Sequence, residues 1–234
     1  MKLTLQNLLF ALIVGMSAAH AATGEHEVTI SNPALTTLEE IDFSTATHIT
    51  IEGCHGLTSL EGLNAPAATS ILINFCANLR SLAGLNAPAA TNIQILDCDQ
   101  LTSLTGLYAP AATHIRIRRC WRLTSLPGLN APAATHITIL DCNNLRNFHG
   151  LNAPAATHIG IANCCFLGTL EGLNAPAATH IRIYNCPFLR TLEGLAAPVA
   201  RTITIRGCTD NALFQADADE IVRENARWMP GGNR

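Results

Sequence analysis

The chain has 234 residues, 48% of them apolar, 13% charged and 5% aromatic, with a formal net charge of −3. So many core formers with so little charge exclude a disordered acidic or basic chain. The lack of a basic excess argues against a protein that tracks nucleic-acid phosphates.

In chain order, residues 1–21 are expected to be a cleaved export signal. Lys2 provides the positive start, Leu8 to Met16 an unbroken apolar run, and Ala19-His20-Ala21 the small residues before a cleavage at Ala22. The run is shorter than the roughly 18–20 residues that cross a bilayer, and no longer one follows, so no membrane span is expected after cleavage. The expected location is the periplasm, the cell surface or the medium. Lys2 is the only lysine, so every basic side chain of the mature chain is arginine.

The rest is one unit copied at a fixed interval. Ala-Pro-Ala-Ala-Thr begins at Ala65, Ala87, Ala109, Ala131, Ala153 and Ala175, with a divergent copy at Ala197, each step being 22 residues. Such a period is the mark of a solenoid, whose coils cannot enclose a core singly but can when stacked. Residues 22–46 are expected to be an N-terminal cap with a degenerate first coil. There Leu35, Leu38 and Ile41 precede Leu57, Leu60 and Leu63 by 22, but Val28-Thr29-Ile30 sits one residue out of phase, which predicts a deletion or bulge. Residues 47–208 form the solenoid proper.

Within one unit, Ile115-x-Ile117 alternates with period two, as in a short strand with one buried face. Leu123, Leu126 and Leu129 are spaced by three, which fits tight bends and not an α-helical stripe. Strands entering at the same phase must stack in parallel, so about nine coils make a rod of about 40–45 Å. Beyond Cys208 the pattern stops. Leu213, Phe214, Ala218, Ile221 and Val222 fall at helical spacing, so residues 209–234 are expected to hold a C-terminal capping helix, over 211–228, and a tail. A partner-binding helix is the alternative there.

The motif Ile-x-Ile-x-x-Cys-x-x-Leu-x-x-Leu-x-x-Leu resembles the leucine-rich repeat, in a short, cysteine-containing form like that of bacterial repeat proteins. Leu57 to Leu63 is also similar to repeats of the receptor L-domain type. The resemblance covers about residues 28–208. It implies a mainly β, right-handed superhelix with one parallel sheet and no long convex helices, and a binding scaffold more than an enzyme.

Eight of nine cysteines share one column: Cys54, Cys76, Cys98, Cys120, Cys142, Cys164, Cys186 and Cys208. In-register stacking sets their Cβ atoms nearly 5 Å apart, too far for a disulfide, so a buried thiol column is expected. Cys165 lies off the column and is a candidate reactive thiol or vicinal disulfide partner. No Cys-x-x-Cys pair suggests a metal.

The variable positions mark the face free to bind. Ahead of the first isoleucine stand His114, His136, His158 and His180, expected to stack on one another; a metal or pH-sensing role is the sharper alternative. Between and after the isoleucines, Arg116, Arg118, Arg182 and Tyr184 mix with small and apolar residues, as on a protein-binding surface. Arg119 shares a column with Asp97 and Asp141 and is expected to pair with both, whereas Arg116 and Arg118 are expected to have no such partners in the adjacent coils. The partner-binding candidates are therefore Arg116, Arg118, Arg182, Tyr184, Trp121, His114 and His136. Phe166 and Phe188, expected to stack near Tyr184, offer a second candidate as an apolar anchor, with a covered loop contact as the alternative.

No phosphate-binding glycine loop, His-Glu-x-x-His or Gly-x-Ser-x-Gly occurs. Catalytic residues, cofactors and metals are not expected, nor is nucleic acid as a partner. The expected function is an exported scaffold binding a protein or other extracellular macromolecule. A self-associating structural or adhesive envelope protein is the alternative, and a carbohydrate-active β-helix enzyme a third.

Overall fold

The structure is a computed structural model that describes residues 26–208 and, beyond them, Gln215, Ala216, Ala218, Asp219, Val222 and Arg223. The expected signal segment, and most of the expected capping helix and tail, lie outside the described residues. Nine strands form one parallel sheet in sequence order: β1 (Glu27–Ile30), β2 (His48–Glu52), β3 (Ser70–Asn74), β4 (Asn92–Leu96), β5 (His114–Arg118), β6 (His136–Leu140), β7 (His158–Ala162), β8 (His180–Tyr184) and β9 (Thr202–Arg206). The chain is a β-solenoid in which residue i of each strand from β2 onward pairs with residue i+22 of the next.

The first coil is one residue shorter. Val28 pairs with Ile49 and Ile30 with Ile51, a step of 21. From β2 on, two residues separate the second isoleucine from the cysteine, and the one next to the cysteine has positive φ: Gly53 at 64°, Asp97 at 53°, Arg119 at 52°. In the first coil only Ser31 separates Ile30 from Asn32. The deletion expected from the phase thus falls at this corner, and both isoleucine columns remain continuous.

The core follows from the spacing. In the coil from Ile71, the residues at under 2% exposure are Ile71, Ile73, Cys76, Leu79, Leu82, Leu85, Ala87 and Ala90. The steps of three are tight turns, closed by bonds from Leu79 N to Cys76 O (3.1 Å), Leu85 N to Leu82 O (3.0 Å) and Ala90 N to Ala87 O (3.1 Å). Between turns the backbone pairs with its own copy in the adjacent coil, as Arg80 N with Thr58 O (3.0 Å) and Ala87 N with Tyr108 O (3.2 Å). Hydrogen bonding therefore continues right around the coil, as buried peptide groups require.

The cysteines form the expected buried column, with no disulfide. Each Sγ lies near the carbonyl oxygen two residues back, from 3.3 Å at Cys98–Leu96 to 3.9 Å at Cys208–Arg206. Burial pushes the Cys142 thiol up to about 11. A hydrogen bond to the Cys164 thiol, with burial, pushes Cys186 up to about 12. These thiols act as small apolar side chains with one weak donor.

At the far edge, Gln215 supplies what a tenth strand would. Its side-chain amide donates to Ile203 O (3.0 Å) and accepts from Ile205 N (3.1 Å). The described residues of this stretch have helical backbone, and Ala218 is buried.

One glycine column is demanded by stacking. Gly106 has φ of 98°, and a Cβ there would lie 2.5 Å from Ala83 Cα in the preceding coil. Gly168, by contrast, has nothing within 4 Å of an added Cβ. Gly106→Ala is therefore expected to cost more than about 2 kcal/mol, from left-handed strain and backbone displacement together, whereas Gly168→Ala changes stability by less than about 0.5 kcal/mol. Thermal unfolding of the two variants checks this.

Candidate functional site

The outward face of the sheet is laid out by alternation along each strand, with the isoleucines buried and the residues around them open. Its most ordered feature is the histidine stack. His114, His136, His158 and His180 lie ring on ring at centroid spacings of 4.6 Å, with interplanar angles of 4° to 7°. The expected stacking is thus present.

The preceding threonines hold these rings. Oγ1 of Thr113, Thr135, Thr157 and Thr179 lies 2.9–3.0 Å from Nδ1 of the next histidine. Each of those hydroxyls also donates its one hydrogen to the threonine carbonyl of the previous coil, at 3.1–3.2 Å. The hydroxyl must then accept from the ring, so Nδ1 carries the proton and Nε2 is the bare nitrogen. Parallel rings set their Nε2 atoms side by side, without convergence on one point. Among the described residues, no group of three or more His, Cys, Asp or Glu side chains is placed to hold a metal ion.

Across the strands from the stack runs the second outward column: Gln94, Arg116, Thr138, Gly160, Arg182 and Thr204. Arg116 and Arg182 are exposed, and neither makes a salt bridge or hydrogen bond among the described residues. Two shallow depressions lie beside them. One is lined by His114, Arg116, His136 and Thr138, the other by His136, Thr138, His158, Gly160, His180 and Arg182.

Arg118 departs from expectation. It is half-buried, and its Nη2 pairs with Asp97 Oδ2 at 3.0 Å. Arg119 bridges as expected, at 3.3 Å to Asp97 and 3.7 Å to Asp141. A comparison by columns considers only partners 22 residues apart. At the corner after β4 the Asp97 carboxylate is reached both by Arg119, 22 residues on, and by Arg118, whose long side chain extends from the end of β5 across the register. Arg118 therefore belongs to a structural ion cluster around an almost fully buried carboxylate, and leaves the set of free contacts.

Of the other candidates, Tyr184 is half-buried on the outward face of β8. Phe166 and Phe188 are about half exposed and meet at 5.4 Å with a 34° tilt, and neither makes a ring contact with Tyr184. Trp121, 48% exposed, lies beyond the sheet margin, its carbonyl accepting from Asn144 Nδ2 at 2.7 Å. Cys165 is half-buried and free, while its neighbour Cys164 lies in the core column. The structure thus brings together Arg116, Arg182, His114 and His136 and sets Trp121 and Cys165 apart.

Sequence reasoning left His158, His180, Thr138 and Gly160 out of the site. The signal for Gly160 was a lone glycine inside a strand pattern, a mark of close approach by a ligand or another backbone. Against protein-family models, curated proteins and solved structures, the chain has no match.

Two outcomes are expected. Asp97→Ala strands the half-buried Arg118 and costs about 1–3 kcal/mol, whereas Arg116→Ala and Arg182→Ala stay within about 0.5 kcal/mol; denaturant unfolding compares them. A native thiol titration gives one fast-reacting group, abolished by Cys165→Ser, with the other eight reacting only on unfolding. Fast reaction of several thiols would contradict the buried column.

Proposed function

We propose that the protein is an exported, non-enzymatic scaffold of leucine-rich-repeat type that recognises a macromolecular partner through the open face of its sheet. The winding is right-handed, and the helical residues after Cys208 cap the last coil. Export by the first 21 residues places the scaffold in the periplasm or at the cell surface.

The observation that carries this reading is the contrast among the arginines. Arg118 and Arg119 are tied to Asp97, while Arg116 and Arg182 stand out from a rigid sheet with no ion pair among the described residues. Arginine is favoured at interface hot spots, and side chains on a preordered backbone lose little freedom on binding. Tyr184 on the same face suits a contact that is apolar in its body and polar at its tip.

A self-associating envelope protein is the second reading, favoured by the half-exposed pair Phe166 and Phe188. Affinity capture from envelope and culture-fluid material separates the two, using the protein beside its Arg116→Ala/Arg182→Ala variant. Partner recognition gives a species retained by the wild type and lost by the variant. Capture of the same species by both would overturn the open-face reading. Concentration-dependent oligomers, abolished by Phe166→Ser/Phe188→Ser, would favour self-association.

A further inference from the structure

Gly160 sits in the middle of β7, where glycine weakens a strand. Neither of the usual structural needs explains it. Its φ lies outside the left-handed region, and an added Cβ would come no nearer than 3.9 Å to Thr138 Oγ1. What the missing side chain does is leave a hollow in the sheet between the histidine stack and Arg182.

The surroundings of the hollow are cationic. No outward strand position from β4 to β9 holds a carboxylate. The charged groups near the stack are Arg116 and Arg182 across from it and Arg201 beside Thr179 at its end, and the acids at the strand ends are paired, Asp97 with Arg118 and Arg119 and Asp141 with Arg119 and Asn163. The Nε2 atoms of the stack are the positions that take up protons. Protonation there leaves each Nδ1–threonine bond intact, so the face gains charge without losing its frame.

The period selects among anions. The histidines recur along the axis every 4.6 Å, whereas an extended peptide offers same-side groups only every ~6.6 Å and falls out of step. A single strand of nucleic acid would want several aromatic platforms, and this face has only Tyr184. A linear uronic-acid chain carries one carboxylate on every ring, turned to alternate sides in a two-fold chain, so its same-side carboxylates meet every second coil.

We propose that the outward face of β5–β9 binds a linear carboxylated polysaccharide laid along the solenoid axis, with carboxylates seated over the Gly160 hollow between the histidine stack and Arg116 and Arg182. This rests on the scaffold reading above and names its ligand class.

Binding is tied to pH by the stack. In the free protein, burial, then the neighbouring His136 and His180 and then Arg182, hold His158 below the ordinary histidine range. A bound carboxylate favours the charged form of His158, so affinity is greatest below the free value of His158 and is lost as pH rises through its bound value.

The test is calorimetric titration of the full chain with a uronate oligosaccharide at about pH 5.5 and about pH 8, beside a neutral glucan oligomer and polyglutamate. The expected result is uronate binding about tenfold tighter at the lower pH, with none to the glucan and weaker binding to polyglutamate. Arg116→Ala/Arg182→Ala and Gly160→Glu abolish it with unchanged circular dichroism and melting, and Gly160→Ala retains it. His136→Gln/His158→Gln weakens the pH dependence while leaving binding at the higher pH. Absent uronate binding, equal binding to polyglutamate, or no dependence on pH would overturn the proposal. If uronate fails while capture still yields a species lost by the arginine variant, the polysaccharide falls and the scaffold reading stands.

Discussion

Everything in this molecule depends on one constraint: each residue from β2 onward lies against its own copy 22 residues away. Stacking equal on equal lets the isoleucine, leucine, cysteine and alanine columns close over one another with almost no exposed core surface. It also closes the backbone bonding outside the sheet, since each corner meets a corner of identical shape. Asn64–Asn86 and Asn130–Asn152 pairings, with side-chain bonds of 2.8 and 2.7 Å, show the same rule on the opposite side of the coil. A glycine such as Gly106 is the corollary, because the turn it occupies is pressed against the coil before it.

The same constraint governs chemistry on the surface. The threonine ladder forms part of the frame, yet by directing its hydroxyl hydrogens to backbone carbonyls it also sets the tautomer of the four histidines beside it. Structure and site are then not separable on this flank: removing a threonine would loosen the coil and release the ring at once. On the opposite flank of the strands, the corner at Asp97 does similar work, since its carboxylate gathers two arginines.

How far this was legible in the sequence follows from what periodicity can carry. The strands, the cysteine column, the stacked histidines and the short first coil all depend on spacing alone, and spacing is visible in the sequence. The Arg118–Asp97 pair was not, because it joins residues 21 apart, where a long side chain reaches across the register. The bare Nε2 atoms were equally hidden, since they emerge only from counting where each threonine hydrogen goes. Gly160 was visible as a residue, but its meaning required knowing that neither dihedral nor packing demanded it.

In-register stacking also explains why the chain holds so little charge. Any charged residue in the repeated unit would be laid on itself at about 4.6 Å, where two like charges repel by about 1 kcal/mol per pair even in water. The shared unit therefore consists of neutral residues, and charges enter singly or alternate in sign, as in the column Asp97, Arg119, Asp141. Glu39 over Glu61 and Glu171 over Glu193 depart from this on one exposed turn, where solvent screening is strongest. Histidine is the one residue that escapes the rule while keeping access to charge, because it stacks when neutral and ionises on demand. The threonine bonds hold such a row in either state, and an external anion offsets the repulsion that grows as its members are charged.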